Sequence, residues 1–325
     1  MAALLRRRLA NALVFSAASL GLAGCNTPGL SGAGASFPAA IYQRWFQDVA
    51  GQGTRVNYQS VGSGAGVRQF IAGTVDFAAS DVPMKASEIK MVPRGVVQLP
   101  MTAGAIAVAY NNKGCELKLS QGQLAAIFLG TINDFKQLGC ATKPIKVVFR
   151  SDGSGTTANF TAHLAAISPG WKAGPGQGKA VTWPTGVGAK GNEGVAAQLS
   201  LMDGSIGYVE MAYVKGGLQA ASLSNASGAT VKPSTENAAE ALASIDLGTD
   251  LTGSNPNPMT GYPIVTFSWI LLYKGGNGAK LPVLQKTFAY TLSGSAQAKA
   301  PALGYVSLPA PVLDQSRRAL AALKS

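Results

Sequence analysis

Apolar positions along this chain follow two alternating periods. Short apolar or β-branched runs at 54–60, 104–110, 145–149, 206–209 and 263–273 read as strands. Stretches with apolar residues three and four apart read as helices at 39–46, 67–72, 120–128, 158–167, 192–202, 237–245, 282–292 and 310–323. Ser120 is a good helix N-cap, and Pro38 lies close to a first helical turn. Residues 174–178 and 255–258, rich in Gly, Pro and Asn, mark loops, and no internal repeat is visible. Strands alternating with helices predict an α/β fold with mixed or parallel sheets and a ligand near strand ends.

Length and charge refine this picture. A chain of 325 residues exceeds one ordinary core and predicts two lobes. It carries 40 glycines and only 13% charged residues, which suits many short elements joined by tight turns. The formal charge is +12; residues 1–24 supply three arginines and no acid, leaving +9. Such a field attracts small anions, or an anionic lipid surface. The basic residues are dispersed, without a dense run or interleaved aromatics after the start, so nucleic acid is the poorer partner.

The first residues predict export. Arg6, Arg7 and Arg8 precede a short apolar stretch, and Leu22-Ala23-Gly24-Cys25 fits a lipoprotein processing site. Residues 1–24 then form a signal peptide, Cys25 becomes an acylated N-terminus, and 25–31 act as a tether. An ordinary signal peptide with a coincidental cysteine is the alternative. The two remaining cysteines, Cys115 and Cys140, form an even pair in an oxidising compartment and point to a disulfide, with free thiols as the alternative. These cysteines and the lone His163 lack metal-ligand spacing, so neither metal nor cofactor is expected.

The densest chemistry lies at Arg150-Ser151-Asp152-Gly153-Ser154-Gly155-Thr156-Thr157, between a predicted strand and a predicted helix. A helix start offers free N–H groups and the positive end of its dipole. Glycines allow close backbone approach, and Arg150 and the hydroxyls add donors. This is a design for a tetrahedral oxyanion, although one such loop alone could equally be a plain turn. Two more loops, Gly32-Ala33-Gly34-Ala35-Ser36-Phe37-Pro38 and Val61-Gly62-Ser63-Gly64-Ala65-Gly66, also bring hydroxyls to helix starts. Three loops of this kind suggest convergence on one anion.

These motifs, the Val61 loop read as Tyr58-Gln59-Ser60-Val61-Gly62-Ser63-Gly64, with Val75-Asp76-Phe77-Ala78-Ala79-Ser80-Asp81 and Gly204-Ser205-Ile206-Gly207-Tyr208-Val209-Glu210, occur in an order that resembles the PstS-type phosphate-binding proteins of bacterial phosphate ABC importers. The resemblance covers nearly all the chain after residue 30. It implies a two-lobed type II periplasmic-binding-protein fold with the ligand cleft between lobes. The crossovers are expected near Tyr110 and Tyr273, giving lobe I as 32–110 plus 273–325 and lobe II as 111–272.

It also implies a site. Ser36, where the family usually has threonine, offers a hydroxyl, and Phe37 its backbone N–H. Ser63 offers hydroxyl and amide, Arg150 charge-assisted bonds, and Ser154, Gly155 and Thr156 donors at the helix start. Asp152 would hold the Arg150 fork. Asp81 would accept the proton of hydrogen phosphate and repel fully deprotonated sulfate; read without the resemblance, it is a turn cap ahead of Val82-Pro83.

The implied function is a monomeric, lipid-anchored extracytoplasmic receptor that passes inorganic phosphate to ABC permease subunits. The alternatives are a phosphate-ester hydrolase using Ser154, a receptor for another oxyanion, and a surface signalling or adhesion protein. No general base, metal cluster or G-x-S-x-G elbow accompanies Ser154. His163 and Trp45, Trp171, Trp183 and Trp269 read as packing residues, while Tyr208 and Glu210 have no assigned role.

Overall fold

The computed structural model describes residues 29–325. The expected signal peptide and Cys25 lie outside the described residues. Twelve strands are present among them: β1 (Leu30–Gly34), β2 (Val56–Ser60), β3 (Phe77–Ser80), β4 (Val96–Asn111), β5 (Lys118–Leu119), β6 (Lys146–Arg150), β7 (Val187–Ala189), β8 (Ser205–Glu210), β9 (Gln219–Ala220), β10 (Ser222–Ser224), β11 (Thr230–Val231) and β12 (Val265–Tyr273). Nine form one sheet in the order β2-β1-β3-β12-β4-β8-β6-β7, with β9 also on β4. The remaining three form a small sheet, β11-β10-β5.

Parallel pairing joins β1 to β2 and β3, and β6 to β7 and β8. The two parallel groups meet through antiparallel strands. Residues Val96–Ala105 of β4 pair with β12, and Ile106–Asn111 pair with β8. One 16-residue strand therefore belongs to both halves. β12 is bonded to β3 and β4, inside the first half. Residues 265–272 thus lie with the first half's sheet, whereas the sequence groups them with the middle of the chain.

The glycine-rich segment before Ser36 forms a strand rather than the expected loop. β1 reads LSGAG, with too few large apolar residues to show a strand pattern. Its glycines are required by packing. A Cβ on Gly32 would lie 2.1 Å from the Phe77 ring, and one on Gly66 would lie 2.5 Å from the Cα of Gly34. Helix Ser63–Ile71 can therefore lie directly on β1, as only glycine permits. Leu30 and Ser31, expected in the tether, already belong to this strand.

Each half has an aromatic core. Trp45, Phe46, Phe77 and Phe288 fill the first; Phe128, Phe160, Trp171 and Tyr208 fill the second, with Trp183 packed against them. Tyr208 stacks on Phe160 at 4.3 Å between centroids. His163 is buried, its Nδ1 2.7 Å from the Pro256 carbonyl oxygen. Cys115 and Cys140 are bridged, with Cα atoms 5.6 Å apart. The bridge closes a loop across 25 residues.

Candidate functional site

Parallel strands bring their C-terminal ends to one edge, where the following loops converge. Ser36 and Phe37 follow β1, Ser63 opens the helix after β2, Asp81 follows β3, and Arg150 ends β6. Helix Gly155–Ile167 starts three residues earlier than its apolar pattern predicts, because Ser154 caps it by accepting the Thr157 N–H at 3.0 Å. Its free N-terminal end therefore points into the same space as Arg150.

Hydrogen bonds tie the loops together. Ser63 Oγ accepts from the N–H of Gly155 at 3.1 Å and of Asp81 at 3.3 Å. The Gly64 N–H donates to the Gly153 carbonyl at 2.8 Å. Ser36 Oγ accepts from both the N–H and Nδ2 of Asn192 at 2.9 Å. Asn192 Nδ2 also reaches Thr156 Oγ1 at 3.2 Å, and its Oδ1 accepts the Glu210 N–H at 2.9 Å. Ser36, Phe37, Ser63, Asp81, Arg150, Ser154, Gly155 and Thr156 are thus gathered in one place, each nearly or completely buried. The two halves are in contact across the site.

Donors remain. Among the described residues, the backbone N–H groups of Phe37, Ser63 and Thr156 have no acceptor within the protein. Unpaired buried N–H groups are rare and costly. Their loop is held from behind through its carbonyls: Tyr58, Tyr213 and Tyr305 donate their hydroxyls to Ala35, Ser36 and Phe37 at 2.7, 2.7 and 2.8 Å. That bracing leaves the N–H side presented forward.

The charges are balanced around these donors. Arg150 Nε and Nη2 donate to Asp152 Oδ1 and Oδ2 at 2.7 and 2.5 Å, and Asp152 Oδ1 also accepts the Gly191 N–H at 3.0 Å. Arg150 Nη1 lies 3.4 Å from Thr156 Oγ1. Burial pushes the Asp152 carboxyl up, but the Arg150 guanidinium outweighs it and holds Asp152 below its ordinary range. Asp81 behaves oppositely. Burial pushes it up to about 7, against the Ser268 hydroxyl and the Arg150 charge, which favour ionisation. Ser268 Oγ donates to Asp81 Oδ1 at 2.8 Å, and the Ser63 hydroxyl also favours the ionised carboxyl. Asn159 and Thr266 fix the Asp81 backbone carbonyl at 2.7 and 3.0 Å.

Beside Asp81 lies a cavity of about 510 Å³, bounded also by Glu88, Lys179, Pro256 and Trp269. Lys179 and Glu88 face each other there at 3.5 Å. Burial lowers the Lys179 pKa, and Glu88 opposes the shift.

Asn192, Ser268, Tyr213 and Tyr305 escape sequence reasoning, as does the bracing role of Tyr58. Asn192 follows Gly191 at a helix start, the same pattern that marks Ser63 after Gly62 and Thr156 after Gly155. Thr266 and Ser268 are polar residues on alternate positions of an otherwise apolar strand. Glu210, without a role in the sequence, is buried; burial holds it well above its ordinary range. No group of His, Cys, Asp and Glu suited to a metal occurs among the described residues.

The sequence matches the PBP superfamily domain over residues 22–295. The phosphate-binding protein PstS of Pasteurella multocida is 42% identical over 308 residues, covering 88% of each chain. Among solved structures, a high-affinity periplasmic phosphate-binding protein (PfluDING) bound with phosphate superposes with a TM-score of 0.76 at 22% identity, covering 89% of this chain and 93% of that one. A putative phosphate ABC transporter substrate-binding protein with bound phosphate from Clostridium perfringens gives 0.68 at 17% identity, covering 86% and 100%. The fold is that of the type II periplasmic binding proteins. The chain belongs to the PstS family of phosphate-binding proteins.

Proposed function

We propose that this PstS-family chain is an extracytoplasmic receptor that captures hydrogen phosphate and delivers it to an ABC importer. The observation that carries the reading is the pairing of opposites in one buried site. Free N–H groups, hydroxyls and Arg150 suit an oxyanion, while Asp81 suits an oxyanion that still carries a proton. Asp152 neutralises Arg150, so an incoming anion is held by local dipoles and hydrogen bonds more than by net charge.

In this reading the site residues act as follows. Phe37, Ser63 and Thr156 give backbone N–H groups; Ser36, Ser63, Ser154 and Thr156 give hydroxyls; Gly155 turns its N–H from Ser63 to the ligand. Arg150 gives its fork, and Asp81 Oδ2 accepts the ligand proton. The lobes divide where the chain passes between half-sheets, at Ala105/Ile106 in β4 and just before Val265. Bending there would open the cleft, and contacts such as Ser36–Asn192 and Ser63–Gly155 would close it over the anion.

A hydrolase would need an activated Ser154. Its hydroxyl instead caps a helix, and the buried His163 is bound to the Pro256 carbonyl. Binding without turnover fits better. The proposed anchor is Cys25, acylated and joined to the body at Leu30. Small-angle scattering tests the receptor reading: phosphate added to anion-stripped protein should compact it, while sulfate should not. An unchanged radius of gyration, together with turnover of a phosphate ester, would replace this reading with the hydrolase.

A further inference from the structure

The end of the molecule opposite the anion site is strongly basic, and the chain enters the fold there. β1, β2 and β3 run parallel, with their C-terminal ends at Ser36, Ser63 and Asp81, so their first residues define the opposite pole. The Leu30 N–H donates to the Arg55 carbonyl at 2.9 Å, and the Asp76 N–H to the Ser31 carbonyl at 2.8 Å. β12 runs antiparallel to β3, with Leu272 opposite Phe77, so its last residues arrive at the same pole. There Lys274 accepts from the Lys324 N–H at 3.0 Å and donates its own N–H to the Gly95 carbonyl at 3.1 Å.

Four exposed cations gather around this entry point: Arg55, Arg94, Lys274 and Lys324. None is in an ion pair among the described residues. Arg94 is fixed over the Tyr273 ring at 3.7 Å, its Nη2 donating to the Gly276 carbonyl at 2.5 Å. The nearby carboxylate of Asp76 is already bound by Lys280 at 2.7 and 2.8 Å. With Asp76 held by Lys280 and Asp48 by Lys299, the four unpaired cations leave the balance positive.

We propose that this pole is a docking surface for an anionic phospholipid layer. Cys25 lies five residues before Leu30, so an acylated Cys25 could stand no more than roughly 17 Å from the first strand. A tether that short keeps the cationic pole near the headgroups, where screening over roughly 8 Å still leaves attraction. The opposite edge, with the anion site, then faces away from the bilayer. This orientation rests on the acylation of Cys25 proposed above; the charge of the pole does not.

The test separates the two. The chain from residue 26 onward, exported behind an ordinary cleavable signal peptide and so without acylation, is sedimented with phosphatidylglycerol-containing vesicles and with phosphatidylcholine vesicles. Binding to the first alone, lost in concentrated salt, is expected. Each pole cation removed should weaken it about fivefold, so Arg55→Gln, Lys274→Gln and Lys324→Gln together should cost about a hundredfold. A matched triple in the second half, Lys113→Gln, Lys136→Gln and Lys232→Gln, removes the same charge from exposed positions elsewhere and should cost far less. Phosphate calorimetry on both triples reports that they are folded. Equal losses in the two triples, or no binding to anionic vesicles at low salt, would overturn the proposal.

Discussion

Replacing Asp81 by asparagine should convert a phosphate-selective site into one that also accepts sulfate. In the native site Ser268 Oγ holds Asp81 Oδ1 at 2.8 Å, and in the proposed reading Oδ2 faces the ligand. Hydrogen phosphate can donate to that oxygen, a charged hydrogen bond worth about 1.5–3 kcal/mol. Sulfate has no proton to give and leaves a buried carboxylate facing another acceptor, which costs about 1–3 kcal/mol or more. Because sulfate can still enter by protonating Asp81, which is pushed up to about 7, the two anions are separated by about tenfold at pH 8 and by about tenfold more per further pH unit. Asparagine keeps the shape and can still accept from Ser268, while its amide can donate to either anion. Calorimetry near pH 8 on stripped protein should therefore show the phosphate-to-sulfate ratio falling by about tenfold. The native protein offers a second check. Asp81 is pushed up to about 7, so below that pH it is neutral and can itself donate. Sulfate affinity should level off below about pH 7 and fall about tenfold per unit above it, as one proton is linked to binding. Sulfate itself does not titrate in this range. An unchanged ratio in Asp81→Asn, with sulfate binding flat across pH in the native protein, would refute the reasoning.

Three further outcomes follow from the same contacts. In stripped protein the raised Asp81 pKa makes its stability contribution full below about pH 4 and lost as pH rises towards about 7, by up to about 4 kcal/mol; denaturant midpoints across pH should show that fall in the native chain and its removal in Asp81→Asn. Asn192→Ala deletes bonds to Ser36, Thr156 and the Glu210 N–H, and should weaken phosphate binding by about 1–3 kcal/mol in calorimetry, or roughly 5- to 150-fold. Reduction of Cys115–Cys140 should lower stability by roughly 3 kcal/mol in denaturant titration, with phosphate affinity unchanged because the bridge lies away from the site residues.

Some of this architecture is legible in the sequence, for identifiable reasons. β6 and its helix show because a β-branched run meets a capped apolar helix with Gly and Ser between them. Helices Ser63–Ile71 and Gly155–Ile167 start earlier than predicted because their first turns are Gly, Ser and Thr, poor helix formers that cap loops and contact ligands. β1 is hidden because close packing of Gly66 on Gly34 requires small residues, which erase a strand's apolar alternation. The place of β12 in the first half is set by pairing with β3 and β4, contacts between residues far apart in sequence that no local pattern encodes. Asn192 is silent for the same reason: its partners Ser36 and Glu210 meet it only after folding.

The central claim is that the cradle around Arg150 and Asp81 holds hydrogen phosphate. Calorimetric titration of stripped native protein with phosphate and with sulfate, near pH 8, tests it most directly. The account predicts tight, one-to-one phosphate binding and sulfate binding weaker by about tenfold or more. Folded, anion-free protein that binds no phosphate, or binds both anions alike, would contradict it.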